Sequence, residues 1–292
     1  MDIIRKNVKY IIAGLLPALL IYFIFVLYPI VRSFIYGFYD WNGLSEPIYT
    51  GLNNFKIILT DEVFWQSFKN NIFIVLFSIF GQVPIGLILA VILSRNIKGA
   101  GFFRTAFFIP MILSTVVVGL LWSTILNSQV GIINSILEAI GLEELTQNWL
   151  GDPKLAMLSI CAVIVWQCFG YYMIIFLAAI QNIPEEILEA ADIDGAGELK
   201  KLTNIILPML WPTVMTAVVL CISGSMRSFD LVFVMTGGGP ANATELMATY
   251  MYNKTFAIYQ YGYGSAVSLV ISIISFGLII ISRSLMSRNL SD

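Results

Sequence analysis

Six apolar stretches, each long enough to cross a bilayer as a helix, set the limits on how this chain folds: residues 10–34, 71–93, 105–126, 155–180, 205–226 and 264–281. A membrane-crossing helix needs roughly 20 mostly apolar residues, because hydrocarbon offers the backbone no hydrogen-bond partners. Charged residues make up 12% of the 292, about half the share usual in soluble domains. The reading is an all-α membrane protein with six transmembrane helices. No linker or low-complexity tract divides it, so residues 1–292 are expected to form one domain. Arg5, Lys6 and Lys9 precede the first stretch as they would in a signal peptide. The run from Tyr10 to Val31 is too long for a signal core and ends in no small-residue cleavage site, so it is read as a retained span. Pro17, Pro29, Pro84, Pro110 and Pro212 fall inside spans, which membrane helices tolerate where neighbours satisfy the freed carbonyls.

Composition removes several functions. A net charge of −2 gives no electrostatic case for nucleic acid. Histidine is absent, and with it the commonest proton shuttle and metal ligand. Cys161, Cys168 and Cys221 all lie in apolar segments and read as small buried hydrophobes. Gly237-Gly238-Gly239 lacks the Lys-Ser/Thr that completes a phosphate loop, and no such loop occurs elsewhere, so the chain is not expected to hydrolyse ATP. A turn or a protein contact is the better reading of the triple glycine.

Basic residues in short loops set orientation. With a cytoplasmic N-terminus, ten lie inside (Arg5, Lys6, Lys9, Arg95, Lys98, Arg104, Lys200, Lys201, Arg283, Arg288) and six outside, accounting for all sixteen. Both termini are therefore expected in the cytoplasm, as is the loop between spans four and five. The longer outer connections carry Trp41, Trp65 and Trp149, suited to the interface, and two short amphipathic helices, Asn53–Leu59 and Ile132–Ile140.

The inner loop at 182–204 is unusually structured. Pro184 followed by Glu185 and Glu186 is a helix start, and Ile183, Ile187, Ala190 and Ala191 are expected on one face. Gly195 supplies a turn, and a second short helix over Gly197–Ile206 leads to Leu207-Pro208. The small residues Ala190, Ala191 and Gly195 would let a partner approach closely. Helix-capping chemistry in a solvated loop accounts for the same residues equally well.

The pattern Glu189-Ala190-Ala191, three residues, Gly195, nine residues, Ile205, one residue, Leu207-Pro208 resembles the EAA signature of permease subunits of binding-protein-dependent ABC importers. Gly51-Leu52-Asn53-Asn54-Phe55 is similar to a motif in the first outer loop of carbohydrate-type permeases. Ser228-Phe229-Asp230-Leu231, Thr236-Gly237-Gly238-Gly239-Pro240 and Thr244 resemble the stretch after span five in MalF/UgpA-like subunits. The expected match is to the core six-helix version, without the large outer domain and extra N-terminal spans of some maltose-type members. The resemblance implies the type I ABC importer permease fold and a bacterial inner-membrane location. It implies a heterodimer with a second homologous permease, two ATPase subunits that use ATP and Mg, and an extracytoplasmic sugar-binding protein. The chain itself would bind no cofactor. Glu189, Ala190, Ala191, Asp194, Gly195 and Ala196 would form the ATPase-docking elbow.

A sugar site wants aromatic platforms with amide and hydroxyl partners, and polar residues inside spans are costly enough to be informative. Trp166, Gln167 and Tyr171 in span four, and Gly224, Ser225 and Ser228 at the outer end of span five, are the candidates. By position they resemble the sugar-contacting regions of maltose-type permeases, although helix–helix hydrogen bonding explains the same residue types. Arg227 and Asp230 are expected to pair, Trp122 to form an aromatic wall, and Asn70, Asn71, Ser78 and Gln82 to serve helix packing. A secondary transporter would show intramembrane acids or inverted repeats, and a membrane enzyme a catalytic cluster; neither is evident.

Overall fold

The computed structural model describes residues 14–95 and 97–287. Arg5, Lys6, Lys9 and Arg288, on which part of the orientation argument rests, lie outside the described residues.

The helices follow the apolar pattern. α1 (Gly14–Tyr36), α3 (Glu62–Ser94), α7 (Ala156–Gln181), α9 (Glu198–Met226) and α12 (Tyr261–Ser287) are each long and apolar enough to cross a membrane. The helix pair α4 (Ala100–Ile112) and α5 (Thr115–Ile125) brings the number of spans to six if taken as one. Shorter helices are α2 (Asn53–Thr60), α6 (Ile132–Ala139), α8 (Glu185–Ile193), α10 (Asp230–Met235) and α11 (Met247–Tyr252). Strands β1 (Tyr39–Asp40) and β2 (Ile48–Tyr49) pair antiparallel, Tyr39 against Tyr49.

Three elements depart from the sequence reading. The third span is not one straight helix, because α4 and α5 meet at 96°. Leu113 and Ser114 are extended at the break, and Ser114 O accepts the first bond of α5 from Val118 N at 3.0 Å. Thr115, Val116, Val117 and Val118 are all β-branched and weak helix formers, so a break just before them costs little helix; Ser114 starts α5 without a side-chain cap bond. The second span begins earlier, at Glu62. At 33 residues α3 is about 50 Å long, well beyond the hydrocarbon core. The short helix expected over Gly197–Ile206 runs without interruption into span five as α9. Its turn Leu202–Ile206 is π-helical, as is Phe23–Leu27 in α1. Pro208 and Pro29 follow these turns closely. A proline ring clashes with the carbonyl four residues back, and a wider turn relieves that crowding.

The chain forms two compact units. In the smaller, residues 14–61 with 251–272, Asn54 ties together the loop that follows α1. Its Nδ2 donates to Gly37 O at 3.0 Å and Tyr39 O at 2.9 Å, which is the structural use of the Gly51–Phe55 motif. Tyr263 Oη donates to Asp61 Oδ2 at 3.0 Å.

The larger unit, residues 62–250 with 273–287, is built on α3 packed along α7, with α4 and α9 also against α7. Gly170 permits the α4–α7 crossing, since a side chain there would strike the Phe107 carbonyl. One apolar cluster gathers Ile74, Val118, Ile160, Val163, Val232 and Leu246. A second gathers Ala90, Met173, Phe176, Leu210 and Ala217. Large side chains such as Phe80, 75% exposed, and Phe276, 67%, remain outside both clusters, as suits surfaces solvated by lipid.

Candidate functional site

Between the two clusters lies a cavity of about 240 Å³. Its lining takes Ile74 and Leu231 from the first cluster and Tyr172 and Cys221 from the second. The polar lining comes from three long helices: Ser78 and Gln82 on α3, Gln167 on α7, and Ser225 on α9. Most of these groups satisfy one another. Gln82 Nε2 donates to Ser78 Oγ at 3.2 Å, Ser225 Oγ donates to Ser78 Oγ at 3.3 Å, and Cys221 Sγ donates to Gln82 Oε1 at 3.7 Å.

Gln167 differs. It is 6% exposed, lines the cavity, and has no hydrogen-bond partner among the described residues. Its carboxamide opens onto the cavity and brings two donors and an acceptor to whatever enters. Phe229 adds an aromatic face, its ring stacked 5.0 Å from that of Phe233. Arg227 and Asp230, both exposed, complete the lining together with Ser228 and Gly224. The expected Arg227–Asp230 pair does not form. Arg227 Nε instead donates to Ser223 O at 3.4 Å, one helical turn back. Amides, hydroxyls and the aromatic side chains of Phe229 and Tyr172 suit an uncharged polyhydroxylated solute, with the charges of Arg227 and Asp230 beside them.

The structure therefore brings Gln167, Gly224, Ser225 and Ser228 to one cavity and leaves Trp166 and Tyr171 outside its lining. Trp166 is about 100° around the helix from Gln167 and meets Trp122 edge-on, ring centres 5.3 Å apart. Trp122 thus packs against Trp166 and lines a separate apolar pocket with Trp149, not the polar cavity. Tyr171 packs edge-on against Tyr172, and it is Tyr172 that reaches the cavity. The polar set on α3, read as packing residues, divides in two. Ser78 and Gln82 line the cavity, and their four-residue spacing was the available signal. Asn70 and Asn71 hold backbone. Asn71, fully buried, donates to Ser225 O at 3.1 Å and accepts from Met247 N at 2.8 Å. Asn70 Nδ2 donates to Glu245 O at 2.8 Å and Ala243 O at 3.1 Å. These bonds hold the tract after α10, where Gly237 and Gly238 take positive φ and Thr244 Oγ1 donates to Gly239 O at 2.5 Å. The triple glycine is a turn.

At the opposite end of α9 is the elbow. α8 starts at Glu185 with Pro184 just before the first helical position. It ends in a tight turn, with Gly195 N donating to Asp192 O at 3.0 Å and Ala196 N to Ala191 O at 2.9 Å. Gly195 has φ +69° and open space where a side chain would stand. The expected apolar face is corrected here: Ile183 and Ala191 are buried, while Ile187 and Ala190 are exposed. Ile183 lies before the helix and so does not follow its rotation. Ala191 packs inward against its own chain. The surface open to a partner is Glu189, Ala190, Ile193, Asp194 and Gly195, with Ala196 half-buried beside it and Ile193 87% exposed. Lys201 pairs with Asp192 and, at 3.6 Å, with Glu198, which also pairs with Arg95 at 2.7 Å.

Bilayer-length helices around a polar internal cavity, with a structured elbow at the end of one of them, define a membrane transport component of several spans. The chain belongs to the family of binding-protein-dependent transport system inner membrane components, whose pattern matches residues 82–289. As a member of that permease family it is not an enzyme in its own right. It is 39% identical over 267 residues to the probable ABC transporter permease protein YurN of Bacillus subtilis, covering 90% of this chain and 91% of that one. It is 34% identical to the multiple sugar-binding transport system permease protein MsmF of Streptococcus mutans, over 89% of each chain. It is 32% identical to the trehalose/maltose transport system permease protein MalF of Thermococcus litoralis, over 88% of this chain and 86% of that one. Its fold matches a chain of a bacterial ABC transporter for the import of the acidic polysaccharide alginate, with TM-score 0.85 over 98% of each chain and 22% identity. The fold is that of a type I importer permease.

Proposed function

We propose that this chain is one half of the translocation pore of an ATP-driven sugar importer in a bacterial inner membrane. A second homologous permease forms the other half, and an extracytoplasmic binding protein delivers an oligosaccharide or polyol-type solute. Two ATPase subunits, using ATP and Mg, dock on the elbow around Glu189, Ala190, Asp194 and Gly195. The whole chain acts as one transmembrane domain with both termini in the cytoplasm. Relatives named for sugars support the solute class. The observation that carries the reading is the unpartnered Gln167 carboxamide lining a polar cavity between apolar clusters. A neutral solute rich in hydroxyls pairs that amide, and Phe229 offers its sugar ring a flat apolar face.

The elbow's small, open backbone supports docking. A partner gripping it moves α9, because α9 runs unbroken from Glu198 to Met226 and carries Gly224 and Ser225 at its far end. Closure of the ATPase pair would then change the cavity as a rigid-body shift of that helix. Uptake of labelled oligosaccharides by the reconstituted assembly tests the reading. ATP-dependent accumulation that needs the binding protein is expected. Accumulation by this chain alone, or by the assembly without ATP, contradicts it.

A further inference from the structure

We propose that Arg95, Glu198, Lys201 and Asp192 form a charged strut that transmits movement of the elbow to α3 and α9 together. The proposal rests on the docking role of the elbow. The four residues come from the end of α3 (Arg95), from α8 (Asp192) and from the first turn of α9 (Glu198 and Lys201). They form one chain: Arg95 to Glu198 at 2.7 Å, Glu198 to Lys201 at 3.6 Å, and Lys201 to Asp192. The Lys201 side chain, 12% exposed, is the enclosed centre.

Few other contacts could do this work. Among the described residues α8 makes no extensive contact with another helix. A groove of about 430 Å³ runs alongside it, lined by Leu188 of α8 itself, by Val91, Ile180 and Ile206 of the neighbouring helices, and by the four charges. The chain joins the elbow to α9, but α3 follows it only if something spans the groove. Arg95, Glu198 and Asp192 are more than half exposed, and ion pairs of that kind add little to stability. The strut therefore fixes geometry without holding up the fold, and its loss leaves a folded permease that transmits poorly.

The test uses the assembled importer in liposomes, measuring ATPase content, binding-protein-stimulated ATP hydrolysis, and solute imported per ATP. Lys201→Met keeps length and removes charge, Lys201→Arg keeps charge, and Glu198→Gln cuts the neighbouring links. Lys201→Met and Glu198→Gln are expected to keep full ATPase content while solute imported per ATP falls at least about fivefold, the low end of typical site-to-site coupling. Lys201→Arg should stay near the parent. An unchanged ratio in Lys201→Met overturns the strut, and so does loss of assembly in both charge-removing variants. Gly195→Trp, run alongside, separates the two ideas. If it retains full ATPase content, the docking role fails and the strut fails with it. If it loses the ATPase while Lys201→Met couples normally, the strut alone is wrong.

Discussion

Replacing each of two amides by leucine should lower stability in one case and leave it near the parent in the other, and the contrast separates a solute-binding residue from a structural one. Asn71 is fully buried, with its oxygen accepting from Met247 N at 2.8 Å and its nitrogen donating to Ser225 O at 3.1 Å. Asn71→Leu removes both bonds and strands the Met247 N–H, while Ser225 O keeps its bond from Ser228 N at 3.2 Å. One stranded buried donor costs about 1–3 kcal/mol and one lost carbonyl bond about 1 kcal/mol, so the sum is about 2–4 kcal/mol. For a chain of this size that is a fall of about 5–10 °C in Tm. Gln167 is nearly as buried but has no described partner. Gln167→Leu strands nothing, because the amide opens onto the cavity without a protein partner, so Tm should hold within about 2 °C. Uptake should behave the other way. Losing one or two neutral hydrogen bonds to solute, about 1 kcal/mol each, lowers uptake at limiting solute about 5- to 30-fold. Thermal melts of the purified importer and initial uptake rates measure both quantities on the same samples. If Gln167→Leu melts as low as Asn71→Leu, or if its uptake is unchanged, Gln167 does not serve the solute.

Gly170→Val should drive a side chain into the Phe107 carbonyl and separate α4 from α7, costing about 1–3 kcal/mol; the melt of the detergent-purified protein reads this as a lower Tm. At the elbow, Ala190→Trp should leave the melt unchanged and abolish co-purification of the ATPase, since Ala190 is exposed. Ala191→Trp should also distort the elbow itself, because Ala191 is buried, and limited proteolysis after Leu199 or Lys200 should accelerate in that variant only. Asn70→Ala should release the tract 236–245 that its amide holds through Ala243 and Glu245, seen as faster amide exchange there with α7 unaffected.

The spans were legible because lipid leaves one signal, a run of about 20 apolar residues, that no other structure produces at that length. The elbow was legible from Pro184, the acids behind it and Gly195, whose φ of +69° fits its role as a turn. The bend at Ser114 was not, since a bent span and a straight one have the same hydropathy, and only the serine and β-branched residues distinguish them. Placing the cavity residues failed where it depended on rotation and depth. Gln167 and Tyr171 share a side by spacing, yet Tyr172 takes the place expected of Tyr171. Asn70, Asn71, Ser78 and Gln82 looked alike as polar residues on one helix. Their division into two backbone-holding and two cavity-lining groups depends on partners about 150 residues or more away, such as Ser225 and Glu245, which no local pattern reveals.

The central claim is that the open side of the elbow, Ala190 to Gly195, is where the motor subunit holds this permease. A photo-crosslinking amino acid at Asp194 in the assembled importer, illuminated in native membranes, tests it most directly. The account predicts one dominant adduct, with the ATPase, strengthened or weakened by ATP as the motor closes. Adducts only with lipid, or with the binding protein on the other face, would contradict it.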